Sequence, residues 1–407
     1  RRGGRPVSAK KHSRAAAPEG KPAPWRQWGA DIDPNAVAQM EAACRLPVAV
    51  RGALMPDAHV GYGLPIGGVL AAREAVIPYA VGVDIACRMK LTAFDLPLSL
   101  LEDDGARLRE ALSAETRFGV GATFKDRRQH PVMDRDWSVS PVTRALKDKA
   151  WAQLGTSGSG NHFVEFGVLE LGAPLNGLEP GKRLALLSHS GSRGTGAQVC
   201  NHYSALAKKL RRELPEEMAR LAWLGLDTQE GREYWDAMQL MGAYASANHE
   251  LIHRAIAERL GARVVMDIEN HHNFAWIETH GGERVVVHRK VATPAGKGTL
   301  GIIPGSMASP CCVVRGRGCR KSLESAAHGA GRAVSRSQAV KRFRWRDAEA
   351  LLRERGVTVI SAGLDEVPMV YKDIHAVMAA QADLVETVAV FHPRLVKMAP
   401  AGEKPED

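Results

Sequence analysis

The sequence predicts a mixed α/β (α+β) fold built as a single large domain, and three observations lead to that prediction. Glycine-punctuated blocks of short apolar runs follow one another from residue 54 to residue 331, with no linker between them. Strand-like runs and helical periodicities alternate along the chain. The chain has 407 residues, 45% of them hydrophobic, so it can bury a sizeable core.

The first elements follow from local composition. Residues 1–24 are basic and rich in Ala, Pro and Gly, which predicts a disordered tail ahead of a folded domain at 25–407. Helical periodicity from Asp33 to Cys44 follows a DIDP start, and a second helix is predicted at 98–116. Residues 54–95 between them hold short strands broken by Gly and Pro, and the polar stretch 125–141 is expected on the surface.

The second half of the chain repeats this alternation. A glycine-rich block at 154–170 precedes a strand at 184–189, which leads into a Gly/Ser/Arg loop, SGSRGTG. Long helices are predicted at 201–221 and 229–260. Strands alternate with polar loops up to residue 307, and a charged helix is expected near 336–355.

Charge and cysteine content limit the classes of partner and compartment. A formal net charge of +10 favours a polyanionic partner such as nucleic acid, although a basic tail alone is the alternative explanation. No stretch approaches 18 uninterrupted apolar residues, so no membrane-spanning helix is expected. The six cysteines show neither CxxC spacing nor disulfide density, which predicts a cytoplasmic protein.

Four short motifs carry side chains typical of a metal centre. Asp84 and Cys87 lie three apart and can converge on one ion, although a core cysteine beside a surface aspartate explains that pair as well. The other motifs supply His162 in GSGNHFVE, His189 in HSGSRG, and the tandem His271 and His272 in ENHHNF. One histidine is usually structural, but several beside Gly or Asn together favour a metal centre.

Two further stretches suggest phosphate chemistry. In HRKVATPAGKGTLGIIPGSM, the charges of Arg289, Lys290 and Lys297 precede a PGSM turn, which indicates a phosphate cradle or, alternatively, a solvated basic loop. In SAAHGAGRAVSR, His328 lies among small residues with two arginines beyond it. A histidine there can be a nucleophile towards a phosphate or one more metal ligand.

These stretches together resemble the RNA-splicing ligase RtcB family, a 3′-phosphate/5′-hydroxyl ligase, from about residue 25 to residue 399. The matching stretches are MPDAHVGYGLPIGG, VGVDIACRM, GSGNHFVE, HSGSRG, HHN, HRKVATPAGKG, IPGSM, HGAGR with SR beyond it, YKDI and VK. The resemblance implies an α/β fold around a central metal-binding cleft with two Mn²⁺ ions. It also implies GTP as cofactor and RNA substrates with a 2′,3′-cyclic phosphate or 3′-phosphate end and a 5′-hydroxyl end.

The family's site residues transfer to this chain by motif. The resemblance implies that the metal ligands are Asp84, Cys87, His162, His189 and His272. It implies His328 as the guanylylated nucleophile, with Asp57 and Asn161 in catalysis, and Arg193 and Arg336 on RNA phosphate. The implied GTP contacts are Asn161, His162, Glu165, His272, Asn273, Pro304, Gly305, Ser306, Met307, Cys311, His328, Gly329, Ala330, Gly331, Tyr371 and Lys397. Glu165 and Lys397 would contact the base.

The implied reaction is RNA repair or tRNA splicing through phosphoryl transfer. A cyclic phosphate is opened to a 3′-phosphate, His328 takes GMP from GTP, GMP passes to the RNA end, and the 5′-hydroxyl seals the strand. The expected partners are such RNA ends and an archease-type activator, with the chain acting as a monomer.

Three positions depart from the family pattern. Arg88 and Val291 replace glycines, and Cys311 stands where a nucleotide-contacting serine is usual. An arginine near the metals is expected to alter access or phosphate binding, and cysteine is a weaker hydrogen-bond partner than serine. Two alternatives therefore stay open. One is a paralogue that guanylylates or hydrolyses RNA 3′ ends without efficient ligation, and the other is a non-catalytic RNA-binding relic.

Overall fold

The structure is a computed structural model that describes residues 21–102 and 105–404. In those ranges the α-helices are α1 (Pro34–Cys44), α2 (Pro78–Val81), α3 (Ala106–Glu115), α4 (Pro141–Gln153), α5 (Arg193–Leu210), α6 (Gln229–Leu260), α7 (Arg336–Arg342), α8 (Trp345–Glu354) and α9 (Ile374–Ala380). The strands are β1 (Trp25–Gln27), β2 (Ala49–His59), β3 (Ile66–Ala72), β4 (Ala75–Val76), β5 (Arg88–Phe94), β6 (Phe163–Leu171), β7 (Gly181–Ser190), β8 (Leu224–Gly225), β9 (Val264–His271), β10 (Phe274–His280), β11 (Glu283–Lys290), β12 (Ala292–Pro294), β13 (Leu300–Ile303), β14 (Cys311–Gly316), β15 (Ser325–Ala327), β16 (Thr358–Ser361) and β17 (Val385–Met398).

Two sheets build the body of the fold. The larger has the strand order β13-β14-β17-β6-β7-β5-β9, with β16 added in parallel beside β17. The smaller runs β1-β2-β3-β11-β10 and is antiparallel except between β1 and β2. Although β17 comes last of these strands in the chain, it lies inside the larger sheet, between β14 and β6. The predicted mixed α/β fold in one domain is confirmed.

Asn270 links the two ends of the larger sheet. This β9 residue accepts the amide of Ile302 on β13 at Oδ1 (3.0 Å) and donates from Nδ2 to Thr293 Oγ1 (2.8 Å). A buried amide side chain has to satisfy both its acceptor and its donor groups. Here it does so across the gap between the outermost strands, so the sheet curls until it nearly closes.

Helix α6 supports the larger sheet from behind. The Thr228 side chain accepts the amide of Gly231 at its start, and Gly261 ends it with a left-handed φ of 62°. Its buried face brings His249 and His253 to β7, where each ring lies 2.7 Å from Ser188 Oγ. Burial lowers the pKa of His249 to about 3, so this polar layer under the sheet is uncharged at neutral pH.

Helix boundaries differ from the sequence prediction at several places. α1 begins at Pro34, and the Asp33 side chain caps it by accepting the Asn35 amide (2.8 Å). The helix predicted at 98–116 is a short 3-10 turn, Leu98–Leu101, followed by α3. The helix predicted near 336–355 is broken into α7 and α8.

The Gly/Ser/Arg stretch after β7 was predicted as a loop, and this is wrong from Arg193 onwards, because Arg193 starts α5. A Cβ on Gly196 would lie 1.8 Å from Ser192 Oγ, so glycine serves close packing in the first helical turn. α5 ends at Leu210, and the rest of the predicted 201–221 helix is a separate 3-10 helix, Glu216–Leu221.

Residues 1–20 of the predicted tail lie outside the described residues, so the prediction of disorder there stays a prediction. Ala23, further along, is buried and donates its amide to the carbonyl of Cys44 (2.7 Å). Within the described ranges, none of the helices combines the length and apolarity that a membrane span requires.

Candidate active site

Strand register gathers the predicted metal ligands at one end of the larger sheet. Cys87 immediately precedes β5, His189 is the penultimate residue of β7, and His272 directly follows β9. β5 pairs with both neighbours, with Met89 opposite His189. The amide of His272 donates to the carbonyl of Cys87 (2.9 Å), which fixes the two ligand-bearing strand ends side by side.

The ligand atoms form two groups that share a cysteine. One group is Cys87, His189 and His272, and the other is Asp84, Cys87 and His162, with the ligand atoms of each group within 4.8 Å of one another. Cys87 Sγ lies 3.1 Å from His189 Nε2 and 3.4 Å from His162 Nε2. His162 Nε2 also lies 3.1 Å from Asp84 Oδ2. These ligand atoms lie close enough together to hold a metal ion.

The electrostatics and unsatisfied atoms of the cluster fit bound cations. Burial lowers the pKa of His189 and His272 well below the ordinary range, so both imidazoles are in the neutral form that ligates metals. Burial opposes ionisation of Asp84, but the proximity of His162 outweighs it and lowers the pKa of Asp84. His272 Nδ1 is one of the buried polar atoms that have no hydrogen-bond partner among the described residues, and a cation would satisfy it. Nitrogen, sulfur and carboxylate ligands together suit Mn, Fe, Co or Zn.

Two groups behind the cluster orient its rings. The carbonyl of Asn161 lies 3.1 Å from His189 Nδ1, and Arg193 Nη2 lies 3.1 Å from His162 Nδ1. Such contacts hold a ligating imidazole in place. The Arg193 side chain is 2% exposed and lies outside the lining of the cavity next to the cluster. It therefore faces a metal ligand, and its predicted contact with RNA phosphate stays a prediction.

His328 lies next to the same cluster and lines the same cavity, which has a volume of about 1220 Å³. Its Nδ1 lies 2.9 Å from Asp57 Oδ2, and its backbone amide donates to the same oxygen at 3.3 Å. The His328 ring centroid is 4.7 Å from that of His272. Among the described residues, His328 is in neither group of ligand atoms. With Nδ1 held by Asp57, Nε2 remains for chemistry, which favours a nucleophile over a further ligand.

Comparisons with known proteins agree with this architecture. The family model described as "tRNA-splicing ligase RtcB" matches residues 39–398. The RNA-splicing ligase RtcB of Escherichia coli K12 is 34% identical, over 90% of this chain and 95% of its own length. The tRNA-splicing ligase RtcB of Thermococcus kodakarensis is 30% identical, over 84% of this chain and 86% of its own length. The chain belongs to the RtcB family. The cavity can therefore be compared with the residues predicted from that family.

Most predicted GTP contacts of this RtcB family member line the one cavity. They are Asn161, His162, Glu165, His272, Asn273, Pro304, Gly305, Ser306, Met307, Cys311, His328, Gly329, Ala330, Gly331 and Tyr371. Glu165 and Cys311 lie at its floor, where burial raises the pKa of both side chains well above the ordinary range. Burial therefore favours the protonated form of Glu165, which can donate as well as accept a hydrogen bond.

Lys397 is the predicted GTP contact that lies outside the cavity lining. On the paired strands β6 and β17, Val396 stands opposite Glu165 and Lys397 stands opposite Val164. Opposite residues share a face, so Glu165 and Lys397 point to opposite sides of the sheet. Lys397 Nζ instead donates to the carbonyl of Leu112 (3.2 Å). Its contact with the guanine base stays a prediction.

Arg336 lines the cavity but is already paired. Its guanidinium contacts the carboxylates of Asp365 (2.8 Å) and Glu366, and the Tyr371 hydroxyl also donates to Glu366. An RNA phosphate at Arg336, as predicted, would have to share this guanidinium with two carboxylates.

The departures from the family pattern are accommodated locally. Arg88 contacts Glu269 and donates to the carbonyl of Gly242 (2.9 Å), so it points towards α6 and lies outside the cavity lining. The expectation that Arg88 alters access to the metals is therefore wrong. Val291, in contrast, lines the cavity with a left-handed φ of 53°, unusual for a β-branched residue. Its amide donates to Asn273 Oδ1 (2.8 Å).

The predicted basic cradle is only partly assembled. Arg289 is buried against Glu278 in a two-point contact, and Lys297 lies outside the cavity lining, so of the three cations Lys290 alone reaches it. One positioning residue escaped the sequence analysis. Lys372 Nζ donates to the carbonyls of Pro56 (3.2 Å) and Ala58 (2.9 Å), which flank Asp57. The YKDI motif that contains Lys372 was the available signal.

Proposed function

We propose that this chain is a GTP-dependent RNA ligase that joins 2′,3′-cyclic phosphate or 3′-phosphate ends to 5′-hydroxyl ends through a histidine–GMP intermediate. One observation carries the proposal. His328, held by Asp57, lies against a buried His/Cys/Asp cluster with two overlapping ligand groups, and both line the same cavity. The relatives are named RNA- or tRNA-splicing ligases, which agrees with RNA as the substrate.

A cyclic end is first opened by water, which adds to phosphorus while the bond to the 2′-oxygen breaks, and this leaves a 3′-phosphate. The transfer of GMP from GTP then belongs to His328. Its Nε2 attacks the α-phosphorus of GTP, the new N–P bond replaces the bond to the β-phosphate oxygen, and pyrophosphate leaves. Asp57 holds Nδ1, so the ring is oriented and the positive charge that develops on it is balanced. Asp84, Cys87, His162, His189 and His272 would hold two Mn²⁺ ions, which when bound neutralise charge on the phosphates.

The later steps transfer GMP to RNA. The RNA 3′-phosphate oxygen displaces His328 from phosphorus, and the 5′-hydroxyl then attacks the activated phosphate and releases GMP. Burial raises the pKa of Glu165 and so favours a protonated carboxyl, which suits a nucleobase edge because that edge presents both donors and acceptors. The segments Pro304–Met307 and His328–Gly331 line the cavity where phosphates would be positioned.

The experiment incubates protein with α-labelled GTP and Mn²⁺, for the parent chain and for His328→Ala. The same tubes then receive RNA with 3′-phosphate and 5′-hydroxyl ends. Acid-labile label on the parent alone, followed by joined RNA, is the expected result. Label without joining would favour an end-modifying enzyme, and Val291 would then be the first position to revert to glycine. An unlabelled parent with metals bound would contradict the nucleotide assignment.

The cellular setting is part of the same proposal. We place the enzyme in the cytoplasm, because all six cysteines are free thiols in the fold. RNA repair or tRNA splicing is the proposed role, with an archease-type activator as partner and a monomer as the working form. Mass measurement in solution, alone and with the activator, tests the last two points.

A further inference from the structure

Tyr62 is an exposed aromatic side chain at the edge of the active-site cavity. Of the large hydrophobic side chains exposed in the described part of the chain, it is the sole aromatic, at 63%. Val60, two residues earlier, is also exposed, at 45%. Both belong to the connection between β2 and β3, and both line the cavity that contains His328. Single exposed apolar residues are common, but an aromatic one at a cavity edge suggests a ligand.

The backbone under Tyr62 is held firmly although its ring is free to meet solvent. Gln39 on α1 both donates to and accepts from the main chain of Gly61, at 2.6 Å and 3.0 Å. Lys290 Nζ donates to the carbonyl of Tyr62 itself. A Cβ on the following Gly63 would lie 2.9 Å from the carbonyl oxygen of Arg220, so that side is closely packed as well. Because the backbone is fixed, the ring is presented in a defined place at little entropic cost on binding.

Arg220 backs the ring with positive charge. Its guanidinium lies 4.2 Å from the Tyr62 ring centroid and 5.4 Å from that of Tyr79. Lys290 Nζ lies 5.2 Å from the Tyr79 ring. Two aromatic rings beside the Arg220 guanidinium form a surface typical of single-stranded nucleic-acid recognition, where bases stack and phosphates meet charge.

We propose that Tyr62, backed by Arg220, is a stacking platform for the nucleobase of a terminal RNA nucleotide at the reacting end. The inference rests on the proposed function, because that function supplies an RNA end in this cavity. It adds a binding site for a base, at a wall separate from the segments expected to hold GTP. The platform and its support are built from residues 61–63, 79, 220 and 290. The expected GTP contacts include residues 304–307 and 328–331 instead.

Stacking on an aromatic side chain contributes about 1–3 kcal/mol per base, which corresponds to roughly a 5- to 150-fold change in dissociation constant. The test is equilibrium binding of short single-stranded RNA with a 3′-phosphate, and separately with a 5′-hydroxyl, to the parent, Tyr62→Ala and Tyr62→Phe. We expect Tyr62→Ala to weaken binding of at least one RNA about tenfold and Tyr62→Phe to restore it, since phenylalanine keeps the ring.

Arg220→Ala, which removes the charge behind the ring, is compared with a matched change elsewhere. Arg211 also lies over an aromatic ring, 4.5 Å from the Trp223 centroid, but that ring is buried and lies outside the cavity lining. We expect Arg220→Ala to weaken RNA binding and Arg211→Ala to leave it unchanged. Equal effects of the two changes would mean that the arginine acts through fold stability or net charge, and would overturn the inference.

RNA lacking its terminal base decides which end stacks. An abasic 3′-terminal or 5′-terminal nucleotide should bind the parent about tenfold more weakly at one of the two ends, and Tyr62→Ala should add no further loss there. If removal of the terminal base and Tyr62→Ala weaken binding by independent factors at both RNA ends, the platform is refuted. Slower GTP labelling by Tyr62→Ala, with RNA binding unchanged, would assign the ring to guanine and refute it as well. If the parent takes no label from GTP, the proposed function fails, while the RNA titrations still test the platform independently.

Discussion

Asp57→Asn separates the charge of Asp57 from its shape. Asp57 is fully buried, and one of its oxygens accepts from both the ring and the amide of His328. An asparagine of equal size can still turn its oxygen towards Nδ1, so the ring stays near its place. What disappears is the negative charge that balances the cationic ring as the N–P bond forms. Loss of such a charge-matched partner costs roughly 10²- to 10⁴-fold in rate, or about 3–5 kcal/mol in the barrier.

The assay is single-turnover labelling of the protein by α-labelled GTP at saturating Mn²⁺. Asp95→Asn is the matched control, because Asp95 also accepts from the backbone amide and the side chain of one residue, Arg263, at 2.8 Å and 3.0 Å. It lies outside the cavity lining, so its labelling rate should equal that of the parent. An Asp57→Asn rate within threefold of the parent would show that the charge of Asp57 is not used in guanylylation.

Three further outcomes are expected. Because Cys87 belongs to both ligand groups, metal analysis after Mn²⁺ loading should find two ions in the parent, one in Asp84→Asn or His272→Ala, and fewer than one in Cys87→Ala. Because Val291 has a φ of 53°, thermal unfolding should show the Val291→Gly protein to be more stable than the Val291→Ala protein by about 1 kcal/mol. Alanine usually gives the more stable protein of the two, and that result here would show that the backbone carries no strain at Val291. Burial opposes ionisation of Glu269, yet neighbouring cations outweigh burial and lower the pKa of Glu269 from 4.5 to about 2. The charge of Glu269 therefore stabilises the fold fully above about pH 4.5, and this stabilisation is lost as the pH falls towards 2. Denaturant titrations should find Glu269→Gln less stable than the parent by roughly 3 kcal/mol at pH 7, with the gap shrinking below pH 4.5, and a pH-independent gap would contradict this.

The sequence motifs predicted which residues meet in the buried His/Cys/Asp cluster and beside His328, because each motif carries its side-chain chemistry with it. What the motifs could not convey was the direction in which each side chain points. Lys397 and Glu165 lie on the neighbouring strands β17 and β6, and the pleat of the sheet points their side chains to opposite faces. This orientation can be read only from the β6–β17 register. The environment of Arg88 was also invisible, since Glu269 meets it only through the pairing of β5 with β9.

The tandem histidines show the same limit. Both belong to the ENHHNF motif, and composition does not distinguish them. In the fold, His271 packs its ring against Phe274 and Trp276, at centroid distances of 5.0 and 5.1 Å, while His272 joins the metal cluster. Only the alternation of side chains at the end of β9 makes one residue a ligand and the other a packing residue.

The interior position of β17 has a consequence for synthesis of the chain on the ribosome. β6 and β14 each pair with β17 along most of their length, yet β6 ends at residue 171 and β14 at residue 316, well before β17 begins at residue 385. Until residues 385–398 appear, both strands present unpaired edges, and the larger sheet exists as two halves. Unpaired edges recruit other chains, so nascent protein of this fold is expected to need shielding by a chaperone. The sheet that frames Cys87 is complete only after residues 385–398 have been made, so any metal is expected to bind the cluster after that point.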